Sequence, residues 1–80
     1  HINKNAEDAL KGDKAVSLLL VGVTSIEGDF EENDIINVVG SNNEIIAVGR
    51  SGYSSSEAKE NIGAHDLKPL IHYDYLYMEQ

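Results

Sequence analysis

The densest cluster of carboxylates in this chain is a short run between two apolar segments. It comprises Glu27, Asp29, Glu31, Glu32 and Asp34. Carboxylate oxygens are ligands that calcium and magnesium prefer. A calcium loop of the EF-hand type beginning at Asp29 would need glycine at its sixth position and glutamate at its twelfth. The chain has Asp34 and Gly40 there. We therefore interpret the run as a solvated acidic turn and predict no metal site.

Histidine is the other common metal ligand, and the chain contains His1, His65 and His72. Pro69 lies between the last two, so one continuous helix cannot place both on the same face. The sequence contains no His-Glu-x-x-His motif or other paired-ligand spacing. We interpret these histidines as surface or partly buried side chains.

Phosphate-binding and nucleophile motifs are also missing. The segment Gly49-Arg50-Ser51-Gly52 lacks the Gly-Lys-Ser/Thr ending of a Walker A loop. Tyr53 stands where a Gly-x-Ser-x-Gly nucleophile elbow needs its second glycine. Because the chain has no cysteine either, we predict no catalytic residue and no cofactor-binding residue. The serines Ser54–Ser56 are better explained as the start of a helix.

Four tyrosines raise the question of base stacking: Tyr53, Tyr73, Tyr75 and Tyr77. Stacking platforms for single-stranded nucleic acid work together with a basic groove. Asp74 and Glu79 lie near these tyrosines, and Arg50 is the nearest cation in the sequence. Tyrosines of the core and its rim are therefore the favoured interpretation.

Length and charge limit the possible functions. The chain has 80 residues, 14 acidic and 6 basic, and a formal net charge of −8. This size suits one small domain and is too short for an ordinary kinase, dehydrogenase or hydrolase scaffold. The acidic charge argues against electrostatic binding to nucleic acid or anionic membranes. The absence of cysteine favours an intracellular origin, and the longest apolar stretch, Leu18–Val23, is too short to span a bilayer.

The local patterns predict short strands with two small helices. Asn5–Gly12 reads as a helix capped by Asn5, and Ser54-Ser55-Ser56-Glu57 begins a second helix that extends to about Ile62 and stops at Gly63. The remaining segments are predicted as an extended segment, a β-hairpin and a late strand: Ala15–Val23, Ile35–Val39 with Glu44–Val48, and Leu70–Tyr75 continuing to Tyr77. On this strand Tyr73, Tyr75 and Tyr77 would share one face. The expected fold is mainly β with two short helices, a small mixed barrel.

Several strings, in order and over most of the chain, resemble one family: the carboxy-terminal PUA domain of glutamate 5-kinase. The strings that resemble it are Ala6–Gly12, Val16–Val23, Ile26–Phe30, Asn33–Ile36, Ile46–Gly49, Tyr53–Ala58, Ile62-Gly63 and Leu70–Tyr75. Two departures are Leu20, where the family usually has proline, and the segment Leu76–Gln80, which does not match the family's last strand.

The resemblance implies a PUA-like pseudobarrel of mostly antiparallel strands, formed by residues 1–80 as a single domain. His1 is not an initiator methionine, and the amino-acid kinase domain that binds ATP, magnesium and glutamate in the family is not in this chain. The resemblance therefore implies a non-catalytic, regulatory or structural domain of a cytoplasmic enzyme that phosphorylates glutamate with ATP in the first step of proline biosynthesis. Its expected partner is the kinase domain of the parent chain or another subunit. Binding to a membrane is not expected.

Two other functions remain open. Other PUA domains bind structured RNA, which needs cations against the phosphates, and the six cations here are scattered among 14 acids. A free-standing acidic domain that binds another protein is the second alternative. As a candidate interaction surface the sequence offers Arg50, Tyr53 and Tyr73, near the end of the hairpin and the last strand.

Overall fold

The computed structural model describes residues 1–12 and 14–79. Two helices and three strands form its regular structure, in the order α1 (Lys4–Leu10), β1 (Ile35–Val39), β2 (Ile45–Arg50), α2 (Ser55–Glu60) and β3 (Leu76–Met78). Two single 3-10 turns accompany them, at Leu20–Gly22 and Tyr73–Tyr75. This confirms the predicted class, mainly β with two short helices.

The strands form one antiparallel sheet in the order β1-β2-β3. Ile35 pairs with Arg50 at one end of the hairpin, and Val39 pairs with Ile45 at the other, after a shift of register between Val38 and Val39. Asn43 adopts a φ of 62° in the connecting turn, a conformation that asparagine tolerates better than most residues. The predicted hairpin is thus confirmed.

The core lies between the sheet and the segments that cross it. It consists mainly of aliphatic residues drawn from most parts of the chain: Ile2, Leu10, Leu18, Leu20, Val23, Val38, Ile46, Ala47, Tyr53, Ala58, Leu70 and Ile71. Gly49 permits a close approach inside this core. A Cβ at Gly49 would lie 2.6 Å from Cγ2 of Ile71 and 2.7 Å from the carbonyl oxygen of Tyr75.

Helix α1 begins earlier than the sequence predicts. Asn3, and not Asn5, is its N-cap, and the Asn3 side chain accepts a hydrogen bond from the amide of Ala6 at 2.8 Å. The tertiary structure fixes this choice, because the Asn3 amide donates to the carbonyl of Gly22 and the preceding Ile2 amide donates to Val39. Asn5 is therefore an exposed helical residue.

The extended segment predicted over Ala15–Val23 is interrupted by a turn, with extended backbone at Leu19 before it and at Val23 after it. Leu18 forms a single antiparallel bridge with Ile71, and the chain then turns at Leu20–Gly22. Gly22 allows this turn to pack against α1, since a Cβ there would lie 2.6 Å from the Cβ of Ala6. The apolar side chains of this segment suit burial in an extended conformation and in a turn alike. The contact with α1 favours the turn.

Helix α2 confirms the predicted capping. Ser54 is its N-cap and accepts from the amide of Glu57 at 3.3 Å. The Glu57 carboxylate accepts a hydrogen bond from the Ser54 hydroxyl at 3.2 Å. The helix ends slightly earlier than predicted, at Glu60, and Gly63 has the positive φ, 80°, that ends the segment.

The tail departs from a regular strand. Tyr73–Tyr75 forms a 3-10 turn, capped by His72, whose Nδ1 accepts from the amide of Asp74 at 3.1 Å. Strand β3 begins only at Leu76, so the alternation predicted from Tyr73 through Tyr77 does not apply. Of the segment Leu76–Gln80, which departs from the family pattern, Gln80 lies outside the described residues.

Candidate interaction surface

Arg50 is exposed at the end of β2. Its guanidinium carbon lies 3.9 Å from the centre of the Tyr75 ring. A guanidinium stacked on an aromatic face gains a favourable cation–π interaction and stays available at its edges for hydrogen bonds. Tyr75, which the candidate surface did not include, is thus the immediate neighbour of Arg50.

Tyr73 is half exposed and stacks on the ring of His72, with the ring centres 4.3 Å apart. The centres of His72 and Tyr75 are 6.1 Å apart. The structure therefore connects Arg50 and Tyr73 through Tyr75 and His72, in a continuous series of planar side chains. In the sequence, the tyrosine-rich tail is a weak signal for this series of side chains. The 3-10 turn that brings the side chains together has no signal in the sequence.

Tyr53 lies elsewhere, in the core. Its hydroxyl donates to the carbonyl oxygen of Lys68 at 2.8 Å, and the Lys68 ammonium lies 4.8 Å from the ring centre. Burial, and then the negative charge of Glu57, raise the pKa of the Tyr53 hydroxyl above its usual value. Because the ring is buried and its hydroxyl is already bonded, Tyr53 offers a partner little contact area.

The acidic run forms the turn that its composition predicts. Gly28 and Asn33 both have positive φ angles, and the Asp34 carboxylate accepts from the amide of Glu31 at 2.9 Å. Glu27 pairs with His1 at 3.2 Å. Within residues 1–12 and 14–79, no group of three histidine, aspartate or glutamate side chains is placed to bind a metal ion.

Glu7 is a buried, hydrogen-bonded carboxylate that the sequence analysis did not single out. It is only 2% exposed, although it lies in the first turn of a surface helix. The Lys11 ammonium donates to Oε2 at 2.7 Å, while the amide and the hydroxyl of Ser41 donate to Oε1 at 2.6 and 2.8 Å. These hydrogen bonds lower the pKa of Glu7 from 4.5 to about 2, and the hydrogen bond from Lys11 has the largest effect. The same contact raises the pKa of Lys11.

Glu7 therefore acts as a structural anion between α1 and the hairpin turn. A Cβ on Gly40 would lie 2.7 Å from Oε1, so glycine makes room for the carboxylate beside the turn. No local pattern indicates this role, because Ser41 lies 34 residues away in sequence.

The buried serine hydroxyls serve the fold. The Ser51 hydroxyl donates to the carbonyl of Tyr53 at 2.6 Å and accepts from its amide at 3.2 Å. The Ser55 hydroxyl accepts from the amide of Phe30 at 3.1 Å, and the Ser55 amide donates back to the Phe30 carbonyl. Neither hydroxyl is bonded to a histidine or a carboxylate that would activate it as a nucleophile.

A cleft with a volume of about 320 Å³ runs beside β1. Its lining includes Ile26, Phe30 and Ile36 together with Glu27 and Asp29, and it includes no lysine or arginine.

Three lysines make ion pairs within the described part of the chain. Lys4 pairs with Asp8 at 3.1 Å, Lys11 with Glu7 at 2.7 Å and Lys68 with Glu32 at 4.0 Å. With Arg50 on Tyr75, most of the basic side chains thus already have an anionic or aromatic neighbour. This arrangement reduces the positive potential that a nucleic acid would meet.

Comparison with known proteins places this fold in a family. The PUA domain family matches residues 1–72. The chain belongs to the PUA domain family. This confirms the family fold that the sequence strings predict, and it fits the antiparallel sheet with two short helices.

Among curated proteins, the chain is similar to several glutamate 5-kinases. It is 46% identical over 79 residues to that of Bacteroides thetaiotaomicron and 42% identical over 78 residues to that of Chlorobaculum tepidum, covering 99% and 96% of this chain. The glutamate 5-kinase of Thermotoga maritima is 43% identical over 65 residues, 81% of this chain. The matched part spans 22%, 22% and 18% of these relatives.

Among residues 1–12 and 14–79, no helix has the length and apolar character needed to cross a bilayer.

Proposed function

We propose that this PUA domain is a non-catalytic part of a cytoplasmic glutamate 5-kinase, and that it regulates or supports the kinase through protein contacts. The observation that carries the proposal is the similarity to a glutamate 5-kinase over 99% of the chain, at 46% identity. The parent enzyme would transfer phosphate from ATP to the side-chain carboxylate of glutamate, the first step of proline biosynthesis. ATP and magnesium would be bound by the kinase domain.

The contacts inside the domain support a non-catalytic role. Its buried carboxylate, Glu7, is neutralised by Lys11 and hydrogen-bonded to Ser41. The buried hydroxyls of Ser51 and Ser55 are bonded to the backbone. Groups that are fully bonded in the resting structure are suited to stabilising a fold, and the chemistry of phosphoryl transfer needs positioned cations that this arrangement does not offer.

Three proteins test the proposal: the glutamate 5-kinase that contains this domain, the same enzyme lacking residues 1–80, and the isolated domain. Glutamyl phosphate is trapped as the hydroxamate and measured while magnesium and proline are titrated. The oligomeric state of each protein is measured as well. We expect the isolated domain to form no product. We expect the shortened enzyme to form glutamyl phosphate with a changed response to magnesium or proline, or with a changed oligomeric state.

Product formation by the isolated domain would contradict the non-catalytic role. A shortened enzyme that matches the intact one in activity, magnesium and proline response and oligomeric state would contradict the regulatory or structural role.

A further inference from the structure

The outward side of the three-stranded sheet presents one continuous patch of side chains. Residues paired across antiparallel strands point to the same face, and next-nearest residues in a strand share that face. Asn37 pairs with Val48 and Val48 pairs with Tyr77, while Ile35 pairs with Arg50, whose guanidinium covers Tyr75. We call these six residues the outer sheet face: Ile35, Asn37, Val48, Arg50, Tyr75 and Tyr77.

This face exposes large apolar side chains. Ile35 is 68% exposed, Tyr77 63% and Tyr75 42%, whereas Val38 and Ala47 on the opposite face of the same sheet are buried. Tyrosine and arginine are enriched at the centres of protein interfaces, and aliphatic side chains beside them supply contact area. The outer sheet face therefore has the composition of an interface centre.

The charge of this face differs from that of the whole chain. The chain carries a net charge of −8, yet none of the six residues is a carboxylate and one is an arginine. None of the ion pairs found among the described residues includes Arg50. The Arg50 guanidinium lies over the Tyr75 ring, and a guanidinium in such a contact keeps the planar fork of N–H donors that a carboxylate accepts.

We propose that the outer sheet face docks onto a protein surface that presents apolar side chains and a carboxylate opposite Arg50. This inference rests on the proposed function, under which that surface lies on the kinase domain of the enzyme. A single cation next to exposed aliphatic side chains fits a carboxylate in an apolar patch. It fits RNA poorly, because RNA binding depends on several phosphate contacts.

A site-specific cross-linker tests the contact in the full-length kinase. A benzophenone amino acid replaces Tyr77 in one variant and Lys59, an exposed residue of α2, in a control variant. After irradiation of the purified enzyme, cross-linked peptides are identified by mass spectrometry. We expect position 77 to cross-link to a peptide outside the PUA domain that contains aspartate or glutamate, with a yield well above that at position 59.

Substitutions of Arg50 then test the carboxylate. Arg50→Glu should lower the cross-linking yield at position 77 about tenfold, because truncating or reversing one charge of a desolvated pair is costly. Arg50→Lys should give an intermediate yield, and Lys59→Glu, with the same change in net charge, should leave it unchanged. Replacing the identified carboxylate by lysine should restore the yield in the Arg50→Glu variant.

Two results would overturn the inference: a yield at position 77 no greater than at position 59, or cross-linking at position 77 to RNA in place of protein. If deletion of residues 1–80 changes the kinase while position 77 forms no protein cross-link, the proposed function stands and this surface is wrong. If the deletion changes nothing, the proposed function itself is wrong. Thermal unfolding of each variant confirms that these exposed substitutions leave the fold intact.

Discussion

At the scale of single residues, Glu7 shows how one buried charge can connect distant parts of a small domain. Its carboxylate receives three hydrogen bonds, one from Lys11, the C-cap of α1, and two from Ser41 in the hairpin turn. A buried carboxylate is stable only when such donors replace the water it has lost. Glu7 therefore fixes the position of α1 against the sheet.

The lowered pKa of Glu7 predicts a dependence of stability on pH. A carboxylate whose pKa is lower in the folded state adds stability above its unfolded value and loses it as the pH falls toward the folded value. The contribution should be complete above pH 4.5 and should disappear toward pH 2. We expect Glu7→Gln to be less stable than the natural sequence at pH 7, with the difference shrinking through this range.

Urea unfolding followed by circular dichroism at several pH values measures this difference. Asp8→Asn is the matched control, because it removes an exposed carboxylate of the same helix whose ion pair with Lys4 is of the weak surface kind. The interpretation of Glu7 fails if the difference between Glu7→Gln and the natural sequence is the same at pH 7 and pH 2.5.

At the scale of elements, the two helices differ in how local their determinants are. Helix α2 carries its start signal in sequence, with Ser54 three residues before Glu57, and the structure uses it. Helix α1 offers two asparagines as possible caps, Asn3 and Asn5, and backbone hydrogen bonds from Ile2 and Asn3 to distant segments select the first. A cap is thus predictable when one candidate satisfies the local geometry, and not when two do.

Ser54→Ala should destabilise the domain by about 1 kcal/mol, within the range of roughly 0.5–2 kcal/mol for loss of an N-cap. The amide of Glu57 loses its acceptor, and the hydroxyl contact to the Glu57 carboxylate disappears as well. Denaturant unfolding measures the change. Ser56→Ala, an exposed position inside the same helix, should change stability by less than about 0.5 kcal/mol. Equal effects at the two serines would contradict the capping role of Ser54.

In the tail, the local sequence pattern predicts the wrong secondary structure. Alternating residues from Leu70 to Tyr77 predict a strand, but the His72 side chain caps a 3-10 turn, and the turn delays β3 until Leu76. The turn is what brings Tyr75 under the guanidinium of Arg50.

At the scale of the whole molecule, the core depends on contacts between segments far apart in the chain. Ile71 is fully buried, and its bridge to Leu18 joins the tail to the segment after α1. Its side chain also occupies the space that Gly49 leaves open in β2. In a domain of 80 residues, few side chains share the burial on which total stability depends.

Substitutions of Ile71 should therefore be costly. We expect Ile71→Val to lower the free energy of unfolding by about 1 kcal/mol and Ile71→Ala by about 2–5 kcal/mol, because the second leaves a larger cavity. Ile35→Ala, a control at a mostly exposed isoleucine of β1, should change it by no more than about 0.5 kcal/mol. Thermal and denaturant unfolding provide the values. A similar loss for Ile35→Ala and Ile71→Ala would show that the assigned core is wrong.

The sequence by itself determined the family, the β-hairpin, helix α2 with its cap and the acidic turn. These features depend on residues close together in the chain, or on ordered strings that a family preserves. Only the tertiary structure decided the buried role of Glu7, the burial of Tyr53, the turn at Leu20–Gly22 and the stacking of Arg50 on Tyr75. The physical reason is that burial and hydrogen bonding between distant segments, such as Ser41 with Glu7, outweigh local preferences that favour several conformations equally.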